Sequence, residues 1–132
     1  MVALAERSCT PCRGGASPLT PSECVRYLAE LPDWELREEG RTVARRFRFP
    51  DYRAALAFAN AVSVLAEETW HHPELVLGFG FCEVSLTTRK IGGLHEFDFV
   101  MAARIDALAS GPLDSTWLPP LPPPKNTKRK AL

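Results

Sequence analysis

The stretch that most limits what this chain can fold into is "DYRAALAFANAVSVLAEETW", Asp51 to Trp70, which runs without a glycine or proline between Pro50 and Pro73. Asp51 suits the N-cap after Pro50, and Leu56, Ala59, Val62 (or Ser63) and Ala66 recur on one helical face. Small alanine side chains on that face let the helix lie close on a sheet. The helix has to stop by His71 or His72, because Pro73 disfavours helical geometry in the residue before it.

The flanking segments supply the sheet. "WELREEGRTVARRFRFP" reads as a hairpin: Trp34, Leu36, Val43, Arg45, Phe47 and Phe49 alternate with period two around a turn near Glu39-Gly40. Val43, Phe47 and Phe49 fall on one side and Arg46 and Arg48 on the other, which predicts one buried and one solvated face. After the long helix, "ELVLGFGFCEVSLTT" predicts one or two strands. Leu75, Leu77 and Phe79 alternate, as do Cys82, Val84 and Leu86, and Gly78 and Gly80 permit a bend between them.

Two further helices complete the pattern. "LTPSECVRYLAEL" opens with a capping box of Thr20 and Glu23 and with Pro21 at the first helical position; Val25, Leu28, Ala29 and Leu31 form its stripe before Pro32. "RKIGGLHEFDFVMAARIDALAS" is a glycine-containing loop running into a helix with Phe97, Val100 (or Met101), Arg104 and Leu108 on one face, closed by Gly111-Pro112. Antiparallel strands with helices on one face predict an α+β two-layer sandwich. The expected organisation is an N-terminal arm over 1–18, a folded domain over 19–112 and a Pro-rich, basic tail over 113–132.

Composition narrows the function class. In 132 residues, 16 basic residues balance 16 acidic ones. That argues against a nucleic-acid or membrane-surface binder, which normally carries a basic excess. "MVALAERSCT" has no apolar core for a secretion signal, and no apolar run is long enough to span a bilayer. A cytoplasmic protein is expected, with its four cysteines reduced. Cys9 and Cys12 form a C-x-x-C, but no second pair completes a zinc site, and the motif sits in a Pro/Gly-rich arm rather than at a strand-to-helix junction. In the tail, five of the six residues from Pro119 to Pro124 are proline, followed by Lys125, Lys128, Arg129 and Lys130. This favours a disordered terminus of extended polyproline geometry with a solvated basic tip; a tail that binds a protein partner or nucleic acid is the alternative.

Two of the three histidines, His71 and His72, stand side by side before Pro73. A pair at a helix end can transfer protons, bind a metal or serve as a polar cap. Adjacent side chains rarely chelate one ion, and no H-E-x-x-H pattern is present, so no metal is expected. Glu67 lies four residues before His71, so the two share a helix face and can hydrogen-bond. A carboxylate on one ring nitrogen sets the tautomer of an imidazole and prepares it for acid–base work near neutral pH.

The spacing of Glu67, His71, His72, Pro73, Phe79, Arg89 and Asp98 resembles the signature of the pterin-4a-carbinolamine dehydratases, with one departure. Arg89 stands where the family has His or Trp. "RRFRFPDYRAALAFANAVSVLAE" and "SLTTRKIGGLHEFDFVMAARID" extend the likeness over Thr20 to Leu108. The resemblance implies a four-stranded antiparallel sheet with three helices on one face, assembled as a homodimer or homotetramer. It also implies a pterin substrate, dehydrated without a cofactor. His71 would then transfer a proton, oriented by Glu67, and His72 would bind or polarise the pterin. Pro73, Thr88, Arg89 and Asp98 would line or support the substrate site. A guanidinium cannot shuttle protons at physiological pH, so Arg89 predicts weaker catalysis than a third histidine would allow. His95, six residues on, is either its substitute or a helix cap. Relatives of this type also include non-catalytic transcription-factor dimerisation cofactors and RuBisCO assembly factors, and Arg89 and the tail fit that alternative.

Overall fold

A computed structural model describes residues 3–6 and 17–113. After a 3-10 turn at Leu4–Glu6 come α1 (Pro21–Leu28), β1 (Glu35–Arg37), β2 (Thr42–Arg48), α2 (Tyr52–Thr69), β3 (Glu74–Gly78), β4 (Phe81–Leu86), a second 3-10 turn (Arg89–Ile91) and α3 (Glu96–Ser110). The strands form one antiparallel sheet in the order β1-β2-β4-β3. This is the expected α+β sandwich, with its helices on one face.

Strand alternation decides which face they cover. Val43 and Phe47 of β2 and Cys82, Val84 and Leu86 of β4 are buried, and they meet Phe58 and Val62 of α2 and Phe99, Met101 and Ile105 of α3. The Phe58 ring packs 4.5 Å from Phe47 and 5.1 Å from Phe49, so three aromatics join helix to sheet. On the opposite face, Arg46 and Glu83 are register partners, and the Glu83 carboxylate also takes Arg37. Hydrogen bonds from Arg37, more than from Arg46, hold the Glu83 carboxyl below its usual range.

One charge points inward. Arg45 shares the helix-side face with Val43 and Phe47, its guanidinium 4.2 Å over the Phe47 ring and its Nη1 2.7 Å from Asp106 Oδ1. Asp106 Oδ1 also accepts from Trp34 Nε1 at 2.9 Å. Burial nevertheless pushes the Asp106 carboxyl up, outweighing the lowering effect of those donors.

Several expected faces shift. In α1, Cys24 turns inward with Tyr27 and Leu28 beside it, while Val25 is exposed; Tyr27 stacks on Phe99 at 5.0 Å, which sets the rotation. In α2, Ala55, Phe58, Ala59, Val62 and Ala66 make the buried stripe, and Leu56 and Ser63 lie beside it. In α3, Asp98, Phe99, Val100, Met101, Ala102 and Ile105 are all buried. That belt is wider than one stripe because Leu4 packs into the same core and Arg104 Nε donates to Ala5 O at 2.9 Å. Phe79 leaves the strand pattern. With Gly80 (φ 83) it forms the two-residue turn between the paired Gly78 and Phe81, and it is 75% exposed. Cys9, Cys12 and the polyproline tail lie outside the described residues. Cys24 and Cys82 are free and buried, and burial raises both thiols, Cys82 to about 11.

Candidate active site

The long helix ends before the histidines rather than at them. Its last residue is Thr69, and Trp70 turns left-handed (φ 54, ψ 41) as the C-cap. The backbone N–H groups of Trp70 and His71 both close on Ala66 O. A left-handed position is ordinarily glycine's or asparagine's, because Cβ crowds the carbonyl; it costs other L-residues roughly 1–2 kcal/mol. His71 and His72 therefore leave the helix in extended chain, ahead of Pro73 and β3.

This turn overturns the expected pairing of Glu67 with His71. An interaction four residues apart needs both residues on one helix, and the reversal at Trp70 carries His71 off the face of Glu67. Glu67 instead meets His72, with Oε2 2.5 Å from Nε2. His71 turns inward, and its Nε2 lies 2.6 Å from Asp98 Oδ1.

Asp98 is the centre of the buried part of the site. It occupies the first turn of α3, where the helix dipole favours an anion, and it has no exposed surface. Oδ1 faces His71, while Oδ2 accepts from Thr88 Oγ1 at 2.7 Å and from the His95 backbone N–H at 2.9 Å. His95 is the N-cap of α3, its Nδ1 accepting from Phe97 N at 3.1 Å. Of its two expected roles, capping is the one its geometry serves. Thr88 joins His71 through this carboxylate, each donating to a different oxygen of Asp98. A backbone bridge from Thr88 to Gly93 closes the loop that carries Arg89.

The outer part of the site is solvated. The His72 side chain is 48% exposed and that of Glu67 69%. Trp70 stands beside them, its ring 4.9 Å from His72 at 82°. Arg89 does not turn inward: its Nη2 lies 2.6 Å from Glu74 Oε1, and both side chains are largely exposed. The fold thus gathers the partly buried His71 with the buried Asp98 and Thr88 in one inner cluster, and Glu67 with His72 in a second, open pair. Arg89 is held apart by Glu74, the residue after Pro73. Sequence reasoning missed Glu74 and Trp70. For Trp70 there was a signal, since the residue that turns a helix out ahead of a proline commonly has to adopt left-handed geometry.

Both imidazoles turn Nε2 toward a carboxylate. An ionised carboxylate only accepts, so Nε2 carries the proton in each ring and Nδ1 is the nitrogen left for proton exchange. Among the described residues, no three His, Cys, Asp or Glu side chains converge as metal ligands, and no helix is long and apolar enough to cross a membrane.

Known proteins share this arrangement of chain. Residues 17–108 match the model of the family described as pterin 4 alpha carbinolamine dehydratase. A Methylococcus capsulatus protein is 46% identical over 107 residues, covering 81% of this chain and 94% of its own. One from Azoarcus sp. is 48% identical over 106 residues, covering 80% and 91%. Both bear the name "Putative pterin-4-alpha-carbinolamine dehydratase". Among solved structures, a Brucella melitensis protein described as a transcriptional coactivator/pterin dehydratase superposes with a TM-score of 0.67 at 31% identity, over 70% of this chain and 99% of that one. A pterin dehydratase-like protein identified as a RuBisCO assembly factor in the alpha-carboxysome gives 0.53 at 30% identity, over 61% and 93%. The family match spans nearly all the described residues, and the chain belongs to the pterin-4-alpha-carbinolamine dehydratase family.

Proposed function

We propose that the chain dehydrates a 4a-hydroxytetrahydropterin to the quinonoid dihydropterin. The observation that carries this reading is the pair of histidines, each bound through Nε2 to its own carboxylate at one end of the sheet. The reaction breaks the bond from C4a to its hydroxyl and removes the proton from the adjacent ring nitrogen. Water leaves, and the electron pair of the N–H bond becomes the new C=N bond. One group must protonate the departing oxygen while another accepts the nitrogen proton, so the protein's proton count is unchanged over a turnover.

Two imidazoles, each held at Nε2 by a carboxylate, suit that exchange when one starts as the imidazolium, whose Nδ1–H is the acid, and the other as the neutral base. His71 is the proton carrier, set by Asp98 rather than by Glu67. His72, with Glu67 behind it, meets the substrate at the open side. Pro73 fixes the angle at which the pair leaves α2, and Thr88 completes the shell around Asp98. Arg89, solvated and paired with Glu74, can hold a polar edge of the substrate but not move a proton.

A second reading rests on that same Arg89–Glu74 pair. With the third family position given to an exposed ion pair, the fold could serve as a non-catalytic interaction module, as a RuBisCO assembly factor or dimerisation cofactor, the polyproline tail offering the contact. Stopped-flow dehydration of 4a-hydroxytetrahydropterin separates the two. A wild-type rate above buffer that His72→Ala abolishes supports the enzyme. No wild-type rate, with one restored by Arg89→His, supports the non-catalytic module.

A further inference from the structure

Trp70 is placed against two ordinary preferences at once. Its backbone is left-handed (φ 54), where a bulky L-residue is strained, and the residue is 77% exposed, so burial does not offset that strain. Strain retained without a packing reason points to a function for the side chain. The contact it makes is with the site: its ring lies 4.9 Å from that of His72, at 82°, and His72 is held by Glu67. A flat ring laid parallel on the indole would stand beside His72 at the same near-right angle to its plane.

We propose that Trp70 is a substrate-binding residue, a stacking platform for the planar heteroaromatic ring on which His72 works. This rests on the dehydratase reading and adds to it the residue that orients the ring. Aromatic stacking is tolerant of substituents because any planar ring offers a π face, so Trp70 would select for a flat bicycle rather than for its side chain.

The test is binding of 7,8-dihydropterin, which lacks the 4a-hydroxyl and cannot react, measured by titration calorimetry on the full chain. Asparagine is at home in left-handed geometry, so Trp70→Asn removes the ring and relieves the strain together. It is expected to weaken binding roughly 5- to 100-fold, to raise KM for 4a-hydroxytetrahydropterin, and to raise Tm by about 3–8 °C. Trp70→Phe keeps a ring and the strain; its affinity should stay within roughly fivefold of wild type and its Tm should not rise. If Trp70→Asn binds dihydropterin as tightly as wild type while His72→Ala still abolishes dehydration, the stacking role fails and the dehydratase reading stands. If wild type neither binds dihydropterin nor dehydrates the substrate, both fall.

Discussion

His71 and Asp98, 27 positions apart in sequence, meet at 2.6 Å through Nε2 and Oδ1. The carboxylate that sets the inner histidine therefore comes from the start of α3 and not from the helix that precedes the histidine.

Asp98→Asn is the direct probe of that contact. A carboxamide has one acceptor oxygen, while His71, Thr88 and the His95 N–H present three donors to two carboxylate oxygens. At least one buried donor is left facing an NH2 group. Stability should fall by about 1–3 kcal/mol, and the dehydration rate should fall roughly 10²-fold as the His71 tautomer is released. Urea unfolding and stopped-flow kinetics measure the two. A rate unchanged from wild type would remove Asp98 from the mechanism.

Arg89→His should raise the dehydration rate by about 10²-fold or more, the contribution of one general acid–base group. It should leave stability nearly untouched. The side chains of Arg89 and Glu74 are 78% and 72% exposed, and such pairs contribute about 0–1 kcal/mol. A gain in rate with a Tm within about 2 °C of wild type is the expected pair of results.

Two carboxyls set opposite slopes in acid. Glu83 is held below its ordinary value, chiefly by Arg37. Its contribution is complete above the unfolded carboxylate value of about 4.3 and is lost as pH falls through the folded value. Asp106 is raised, chiefly by burial. Its folded form holds a proton that the unfolded form has released, so stability declines as pH rises from about 3.9 through its folded value. Glu83→Gln should flatten the rise of stability with pH in this window, and Asp106→Asn should steepen it. Urea melts across roughly pH 3 to 6 check both signs.

Gly93 and Gly92 should respond differently to alanine. A Cβ on Gly93 would stand 2.7 Å from Pro18 Cβ, in a segment anchored by the Leu19 N–H on Leu94 O. Making room must move that segment or the Thr88 loop, so Gly93→Ala should cost about 1–3 kcal/mol and lower the dehydration rate as well. Gly92 has open space but a φ of 69. Gly92→Ala should cost about 1 kcal/mol of backbone strain, and Gly92→Asn less. Thermal melts of the three variants order them.

The elements themselves were legible because their causes are local. The Thr20–Glu23 capping box and the Asp51 cap form as predicted. Alternation in β2 and β4 decides the buried face of the sheet, and the family likeness points to Glu67, His71, His72, Thr88, Arg89 and Asp98 as candidate site residues. Helix rotation is less legible: the expected face of α2 holds at Ala59, Val62 and Ala66 but not at Leu56, while in α1 Val25 is exposed and Cys24 turns inward, with Tyr27 stacked on Phe99.

By itself, then, the sequence determined the order of helices and strands and the sheet's two faces, since period, caps and proline act within a few residues. Which partner each site residue takes was decided by the tertiary structure. The left-handed turn at Trp70 breaks the helical spacing between Glu67 and His71, and the N-terminus of α3 then brings Asp98, with Thr88 on its other oxygen, to His71. No local rule contains that exchange of carboxylates, because it depends on where three separate segments cross.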